Sequence, residues 1–132
     1  MNNEKNNIIN VVAQAYYGNK TATEIDRNKA DRFVIGCLHD FPIDYPIDRT
    51  IVKIPNTENI VLVYNKYKEA EMRELKERAL KEGNYVMKPL AVIAEENIEI
   101  YSRCIACRID EHGELQSLLD EDYNKLIGYL AD

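Results

Sequence analysis

Residues 98–109 read IEIYSRCIACRI, and this stretch decides the fold class. Successive side chains of a strand point to opposite faces of a sheet, and here both faces are mainly apolar. The apolar residues are Ile98, Ile100, Cys104 and Ala106 on one face and Tyr101, Ile105, Cys107 and Ile109 on the other. A strand of this kind needs cover on each side.

Four further extended segments are predicted around this strand. Residues 86–93 precede residues 98–109 across three polar turn residues, which indicates a hairpin. Residues 49–54 and 60–64 are rich in β-branched side chains and flank a polar loop, which is typical of a second hairpin. Residues 8–17 alternate in the manner of a half-buried strand.

Residues 20–41 carry conflicting signals. Thr21 and Glu24 have the spacing of a helix capping box, whereas residues 33–38 form an apolar run that suits a buried strand. We favour a strand over residues 33–38. Residues 41–48 then repeat an aromatic-Pro-Ile-Asp pattern whose prolines fix an extended backbone, and we expect a loop there.

Two helices are expected, one solvated and one docked. Residues 66–82 place Glu four residues before Lys or Arg three times, and Gly83 ends the segment. Its narrow apolar stripe favours a surface helix and consists of Met72, Leu75 and Ala79. Acidic residues 120–122 suit the start of a closing helix that docks on the core. The stripe of that helix comprises Leu119, Tyr123, Leu126, Ile127 and Leu130.

This order of elements predicts one α+β domain over residues 1–132. Its sheet should be mostly antiparallel, either curved or closed into a small β-barrel. The closing helix can cover only one face of residues 98–109. A second copy of the chain is a natural source of cover for the other face.

The charge balance limits the partners of this chain. Its 132 residues include 17 Lys or Arg and 23 Asp or Glu, which gives a net charge of −6. This acidic excess disfavours duplex nucleic acid and membrane surfaces, while a small anion can still meet a local cluster of cations. The first residues lack the apolar core of a secretory signal, and the apolar runs are short, so a location in the cytosol is expected.

The three cysteines are expected to be free thiols, because an odd number argues against a disulfide framework. Cys104 and Cys107 form a C-x-x-C that invites a zinc site completed by Cys37 or His39, with His112 nearby. Residues three apart in a strand point to opposite faces, so buried strand cysteines are the preferred interpretation. We expect no metal and no cofactor.

Arginines and tyrosines are the residues best suited to a phosphate-bearing ligand. Arg103 and Arg108 lie on opposite faces of the expected strand, where each would be partly buried. A guanidinium donates paired hydrogen bonds to phosphate and keeps its charge when desolvated. Tyr16, Tyr17 and Tyr101 are suited to stack on a base. Salt bridges to the abundant acids explain any one of these arginines equally well, and composition alone favours them.

Residues 16–27, YYGNKTATEIDR, and residues 29–36, KADRFVIG, resemble the phage-encoded Thoeris anti-defence sponge proteins, as do residues 101–104, YSRC. The similarity covers most of the chain after residue 15. It implies a small β-rich protein that forms a homo-oligomer, a dimer or a hexamer. It also implies binding of a cyclic ADP-ribose isomer without cleavage, with cyclic oligonucleotides held at separate sites in some members.

The resemblance implies that Arg27 and Arg108 contact the ligand. The candidate ligand-binding set is Arg27, Arg108, Arg103, Tyr16, Tyr17 and Lys20. On this basis Arg108→Ala should lower ligand affinity and leave the fold intact.

Three functions remain open at this point. The leading one is a non-enzymatic sponge that holds a cyclic nucleotide of the glycocyclic ADP-ribose type in the host cytosol and so blocks antiviral defence. The second is a nucleotide phosphodiesterase, although the chain has no nucleophile motif and no glycine-rich phosphate loop. The third is a protein-interaction inhibitor of a host defence protein that uses residues 66–82 and the loop at residues 41–48.

Overall fold

The computed structural model describes residues 7–36, 44–84 and 86–131. Its main sheet is antiparallel, with the strand order β2-β1-β7-β4-β3 and β8 paired to β7. These strands are β1 (Ile8–Gln14), β2 (Lys20–Asp26), β3 (Arg49–Lys53), β4 (Ile60–Asn65), β7 (Cys104–Ile109) and β8 (Leu115–Gln116). The sheet is not closed, so the α+β expectation is confirmed with an open sheet and not a barrel.

A small separate hairpin and three helices complete the architecture of the described residues. The hairpin pairs β5 (Ala91–Ile93) with β6 (Ile98–Ile100). The helices are α1 (Ala30–Ile35), α2 (Lys66–Lys81) and α3 (Asp122–Leu126). Among these residues, none of the helices has the length and apolar character needed to cross a bilayer.

Strand β7 is apolar on both faces, as its sequence predicts, and the same chain covers both. Cys104 and Ala106 pack in a core with residues of the β5–β6 hairpin and α3. Ile105 and Cys107 pack in a second core with Val34 of α1. The expectation that a second copy supplies missing cover is therefore wrong, and a homo-oligomer stays a prediction.

Both predicted hairpins form, but residues 98–109 do not make one continuous strand. Residues 101–103 lie between β6 and β7 and pair with neither sheet. The backbone N–H groups of Tyr101 and Ser102 donate to the side chain of Glu69 in α2. These N–H groups are satisfied by a helix side chain, so the chain can leave one sheet and enter the other at this point.

The structure corrects the interpretation of residues 20–41. Residues 20–26 form β2, which pairs with β1 along its whole length, and the strand expected at residues 33–38 is wrong for residues 33–36, the part that the structure describes. Residues 33–35 belong to α1, in which Ala30 and Val34, one turn apart, are both fully buried. Gly36 ends α1 with a positive φ of 88°, and residues 37–43 lie outside the described residues.

The two predicted helices are present with different lengths. Helix α2 matches its prediction, and Glu69 is its only buried residue. Helix α3 is only five residues long, because the chain turns after Leu126 and brings Leu130 into a bridge with Ala91. Leu126 and Leu130 are buried as expected, whereas Leu119 and Ile127 are exposed. Of the expected loop at residues 41–48, residues 44–48 are described and carry no regular structure.

Candidate functional site: an aromatic and cationic pocket

A cavity of about 320 Å³ lies where four parts of the chain meet. These are the end of β1, the first turns of α2, the segment before β5 and the connection between β6 and β7. The lining residues are Ala15, Tyr16, Tyr17, Lys68, Met72, Met87, Lys88, Leu90, Tyr101, Ser102 and Arg103. We call this cavity the Arg103 pocket. Tyrosine rings, flexible methionines and cations thus meet in one place.

A tight turn presents two tyrosines at the rim of the Arg103 pocket. The N–H of Asn19 donates to the carbonyl of Tyr16 at 2.9 Å, and Gly18 has a positive φ of 80°, which only glycine adopts at little cost. The turn leaves Tyr16 66% exposed and Tyr17 50% exposed. Large aromatic side chains this exposed are available to a ligand, since their rings are not used by the core.

Arg103 is a pocket cation that no carboxylate of the described residues neutralises. Its guanidinium carbon lies 4.4 Å from the centre of the Phe33 ring in α1, a stacked arrangement. Its Nε is buried and has no hydrogen-bond partner within the described chain. Burial lowers the pKa of the guanidinium, and the neighbouring Tyr16 hydroxyl opposes that shift. The group still stays charged, so it retains unsatisfied capacity to bind an anion.

Two lysines add positive charge on either side of the pocket. The Nζ of Lys88 lies 5.4 Å from the centre of the Tyr17 ring. The Nζ of Lys68 lies 3.0 Å from Glu71 and 5.7 Å from the centre of the Tyr45 ring. The Tyr45 hydroxyl also donates to Glu71 at 2.6 Å, and burial together with this bond raises the pKa of Tyr45 to about 12. Lys68 is thus paired with a carboxylate, whereas Lys88 contacts the Tyr17 ring and pairs with no carboxylate of the described residues.

The connection made of residues 101–103 forms the wall of the pocket that faces α2. Tyr101 is 4% exposed, and its hydroxyl donates to Glu99 at 2.8 Å. Arg73 and Lys76 lie over its ring at 5.3 and 4.7 Å from the centre. Ser102 is 1% exposed and donates a long bond of 3.4 Å to the carbonyl of Arg103. Arg73 and Lys76 of α2 therefore add positive charge beside this wall.

The structure brings together only part of the predicted site. Tyr16, Tyr17 and Arg103 line the Arg103 pocket together with Tyr101, whereas Arg27, Arg108 and Lys20 lie elsewhere. Lys20, at the start of β2, contacts the carbonyl of Leu130 at 3.5 Å beside a small apolar crevice.

The two arginines that the resemblance names are both paired within the chain. Arg108 donates through Nε and Nη2 to the two carboxylate oxygens of Asp122, at 2.6 and 2.9 Å. This bond raises the pKa of Arg108 and lowers that of Asp122. Arg27 donates to Glu114 at 3.4 Å and to Gln116 at 3.2 Å. Either arginine would have to share or give up an internal partner in order to bind a phosphate.

The cysteine interpretation follows the strand geometry. Cys104 and Cys107 lie in the two different cores, and burial raises the pKa of each thiol to about 12. Among residues 7–36, 44–84 and 86–131, no group of three or more His, Cys, Asp or Glu side chains is arranged to hold a metal ion. Cys37 and His39, either of which would have completed the disfavoured zinc site, lie outside these residues.

Several pocket residues were not predicted from the sequence: Lys68, Met72, Met87, Lys88 and Ser102. Lys68 and Met72 are one helical turn apart, a spacing that places them on one side of α2. The sequence showed that spacing, but it did not show against which part of the chain this side of α2 packs. Comparison with known proteins adds nothing to this assignment, because no family model, curated protein or solved structure matches the chain.

Proposed function

We propose that this chain binds a small cyclic nucleotide, a cyclic ADP-ribose isomer, in the Arg103 pocket and holds it without cleaving it. The observation that carries the proposal is the meeting of exposed tyrosine rings with Lys68, Lys88 and Arg103 in one cavity of a chain whose net charge is −6. Aromatic faces stack on bases, and guanidinium and ammonium groups bind phosphates. A ligand that carries both groups fits this lining best.

The size of the cavity is compatible with such a ligand. Its volume of about 320 Å³ lies at the lower end of the range of roughly 300 to 1,000 Å³ that is usual for small-molecule sites. Tyr16 and Tyr17 stand at the rim, so the part of a ligand that extends beyond the cavity would meet their rings. Both tyrosines and Arg103 also belong to the segments that resemble the sponge proteins, which narrows the nucleotide to the cyclic ADP-ribose class.

Sequestration sets a requirement on affinity. A sponge has to compete with a receptor, and nanomolar binding corresponds to about 12 kcal/mol. An unpaired, partly desolvated guanidinium contributes more to such binding than one that must first leave a carboxylate, because no existing bond is lost. The proposal therefore assigns the phosphates to Arg103 with Lys68 and Lys88. A chain that removes the signal in this way would silence an ADP-ribose-based antiviral defence in its host.

One experiment separates binding from cleavage. The protein is titrated with glycocyclic ADP-ribose by calorimetry, the complex is heat-denatured, and the supernatant is analysed by chromatography, with linear ADP-ribose as the control ligand. Tight binding followed by recovery of intact glycocyclic ADP-ribose is the expected result. Cleavage products would identify the phosphodiesterase alternative, and a titration without heat of binding would overturn the proposal.

A second candidate function rests on the exposed surface of α2. Leu75 and Leu80 are 38% and 49% exposed, and an interaction inhibitor would present such apolar side chains to its partner. This alternative predicts that a host defence protein co-purifies with the chain, and that Leu75→Glu abolishes the association while nucleotide has no effect on it. Unchanged association in the Leu75→Glu variant would exclude α2 as the surface involved.

A further inference from the structure

We infer that Glu69 is a positioning residue of the Arg103 pocket, because it ties residues 101–103 to α2 and so fixes the direction of Arg103. The inference rests on the proposed function, since positioning matters only if the pocket binds a ligand. Its structural half, the tie itself, can be tested without any ligand.

The geometry of the tie is direct. Oε1 of Glu69 accepts the backbone N–H groups of Tyr101 and Ser102, each at 2.9 Å. Oε2 lies 3.1 Å from the Tyr101 nitrogen and 2.9 Å from Nε of Arg73. Glu69 is 7% exposed, although nearly every other residue of α2 faces solvent. A buried carboxylate is costly unless donors surround it, and here every contact is a donor.

One carboxylate thereby joins two walls of the pocket. Lys68 precedes Glu69 on α2 and Met72 follows one turn later, and both line the cavity. Across the cavity, Tyr101, Ser102 and Arg103 form the opposite wall. Arg73, held by Glu69, also donates to the carbonyl of Glu99, the middle residue of β6. Glu69 therefore holds this corner of the molecule through its own bonds and through Arg73.

Apart from the burial of Tyr101 and Ser102 and the contact of Arg103 with Phe33, the connection depends on Glu69. Residues 101–103 pair with neither sheet, and the side-chain bonds of Tyr101 and Ser102 go to Glu99 and Arg103, both in the same part of the chain. Without the carboxylate, two buried N–H groups would lose their acceptors, and the segment would move in order to hydrate them. Arg103 would then sample several directions, and a ligand would have to order it at the expense of affinity.

The first measurement is amide hydrogen exchange on the free protein. In Glu69→Ala the amides of Tyr101 and Ser102 should exchange at least about tenfold faster than in the wild type, because each hydrogen bond to a charged acceptor is lost. The amide of Ile105, in β7, should keep its protection. Glu74→Ala is the matched control, since it removes an exposed acid from the same helix.

The second measurement is affinity for glycocyclic ADP-ribose in the same variants. Glu69→Ala should weaken binding about tenfold, mainly through faster dissociation, because the ordering that is lost must be restored on binding. Glu69→Gln keeps one oxygen that accepts these N–H groups and should bind within about threefold of the wild type. A loss of affinity in Glu69→Ala while Ile105 keeps its protection distinguishes positioning of the pocket from a general loss of the fold.

The outcomes separate the two proposals. If the wild type does not bind glycocyclic ADP-ribose, the proposed function fails, and hydrogen exchange still decides whether Glu69 ties the segment. If the wild type binds and Glu69→Ala retains its affinity, the positioning role is overturned. If Ile105 also loses protection in Glu69→Ala, that variant is too disturbed to use, and Glu69→Gln is compared with the wild type instead. In Glu69→Gln, the exchange rates of the amides of residues 101–102 and the affinity must either both change or both stay the same. A change in only one of the two overturns the inference.

Discussion

The two ends of strand β7 carry the same side chain in opposite situations. Arg103 stands just before the strand, stacked on Phe33, and no described carboxylate pairs with it. Arg108 stands near the other end and is held by both oxygens of Asp122, a fully buried acid. The difference shows that a partly buried arginine is available to a ligand only if the fold places no carboxylate beside it. An arginine that is paired with a buried carboxylate instead stabilises the fold.

The largest expected effect is on stability, at the Arg108 end. Arg108→Ala leaves the buried carboxylate of Asp122 without its cation, and should lower the free energy of unfolding by about 3 kcal/mol. The N–H of Leu119 still donates to Asp122, which keeps the loss from being larger. Urea denaturation measures this change, with Arg78→Ala, in an exposed pair, as a control that should change by less than about 1 kcal/mol.

The same variant tests the role that the resemblance implies for Arg108. The Arg103 pocket does not include Arg108, so affinity for glycocyclic ADP-ribose should stay unchanged in Arg108→Ala under conditions where the variant is folded. If Arg108→Ala kept its stability and lost affinity, Arg108 and not Arg103 would be the ligand-binding arginine. That result would support the role that the resemblance implies for Arg108.

The next effect is on affinity, at the Arg103 end. Arg103→Ala removes a charged donor and should weaken binding about 30-fold, which corresponds to about 2 kcal/mol. Its stability should change little, because no described carboxylate loses a partner. Calorimetric titration beside Arg78→Ala measures both variants in the same way. Equal affinity in the two would show that the pocket is not the ligand site.

A smaller loss is expected at the rim of the pocket. Tyr17→Ala removes a ring suited to stack on a base and should weaken binding by about 1 kcal/mol, or roughly fivefold. Tyr17→Phe keeps the ring and should bind like the wild type. Tyr67→Ala, at an exposed tyrosine of α2 outside the pocket, is the control. A loss in Tyr17→Phe equal to that in Tyr17→Ala would replace stacking with a role for the hydroxyl.

The smallest effect is the pH dependence of the Arg108 end. Hydrogen bonds from Arg108 hold the pKa of Asp122 below its ordinary value of 3.8. Since the folded pKa is the lower one, this pair stabilises the fold above the unfolded pKa and loses that contribution as the pH falls through the folded pKa. Urea midpoints of the wild type and Arg108→Ala should therefore converge as the pH drops below about 4. A constant gap between them would show that Asp122 does not titrate with the pair.

Local signals predicted the local parts of the fold. The β3–β4 hairpin and α2 follow from patterns within a few residues, and the structure forms both. The apolar run at residues 33–35 is too short to distinguish strand from helix by periodicity, and burial of one helical face against the sheet decided it. The length of α3 depended on the bridge between Leu130 and Ala91, which are 39 positions apart and so beyond local patterns.

The candidate site could likewise be predicted only in part. Tyr16, Tyr17 and Arg103 follow from the chemistry of aromatic and guanidinium groups, and they meet in one cavity. Lys68 and Lys88 could not be assigned, because their positions depend on where α2 and the segment before β5 pack. The separation of Arg103 from Arg108 depended on Asp122, 14 residues from Arg108 along the chain. A count of acids in the sequence does not show which arginine one of them will reach.

The reaction rates of Cys104 and Cys107 with an alkylating reagent would report separately on the opening of two parts of this molecule. They lie three positions apart on β7, yet the side chain of Cys104 is enclosed beneath the β5–β6 hairpin and α3, and that of Cys107 beneath α1. A thiol that is enclosed and protonated does not react with an alkylating reagent, so each modification waits until its own layer lifts from the sheet. Fragmentation mass spectrometry, which assigns the label to Cys104 or to Cys107 within one peptide, would thus time the opening of each layer separately in a single sample.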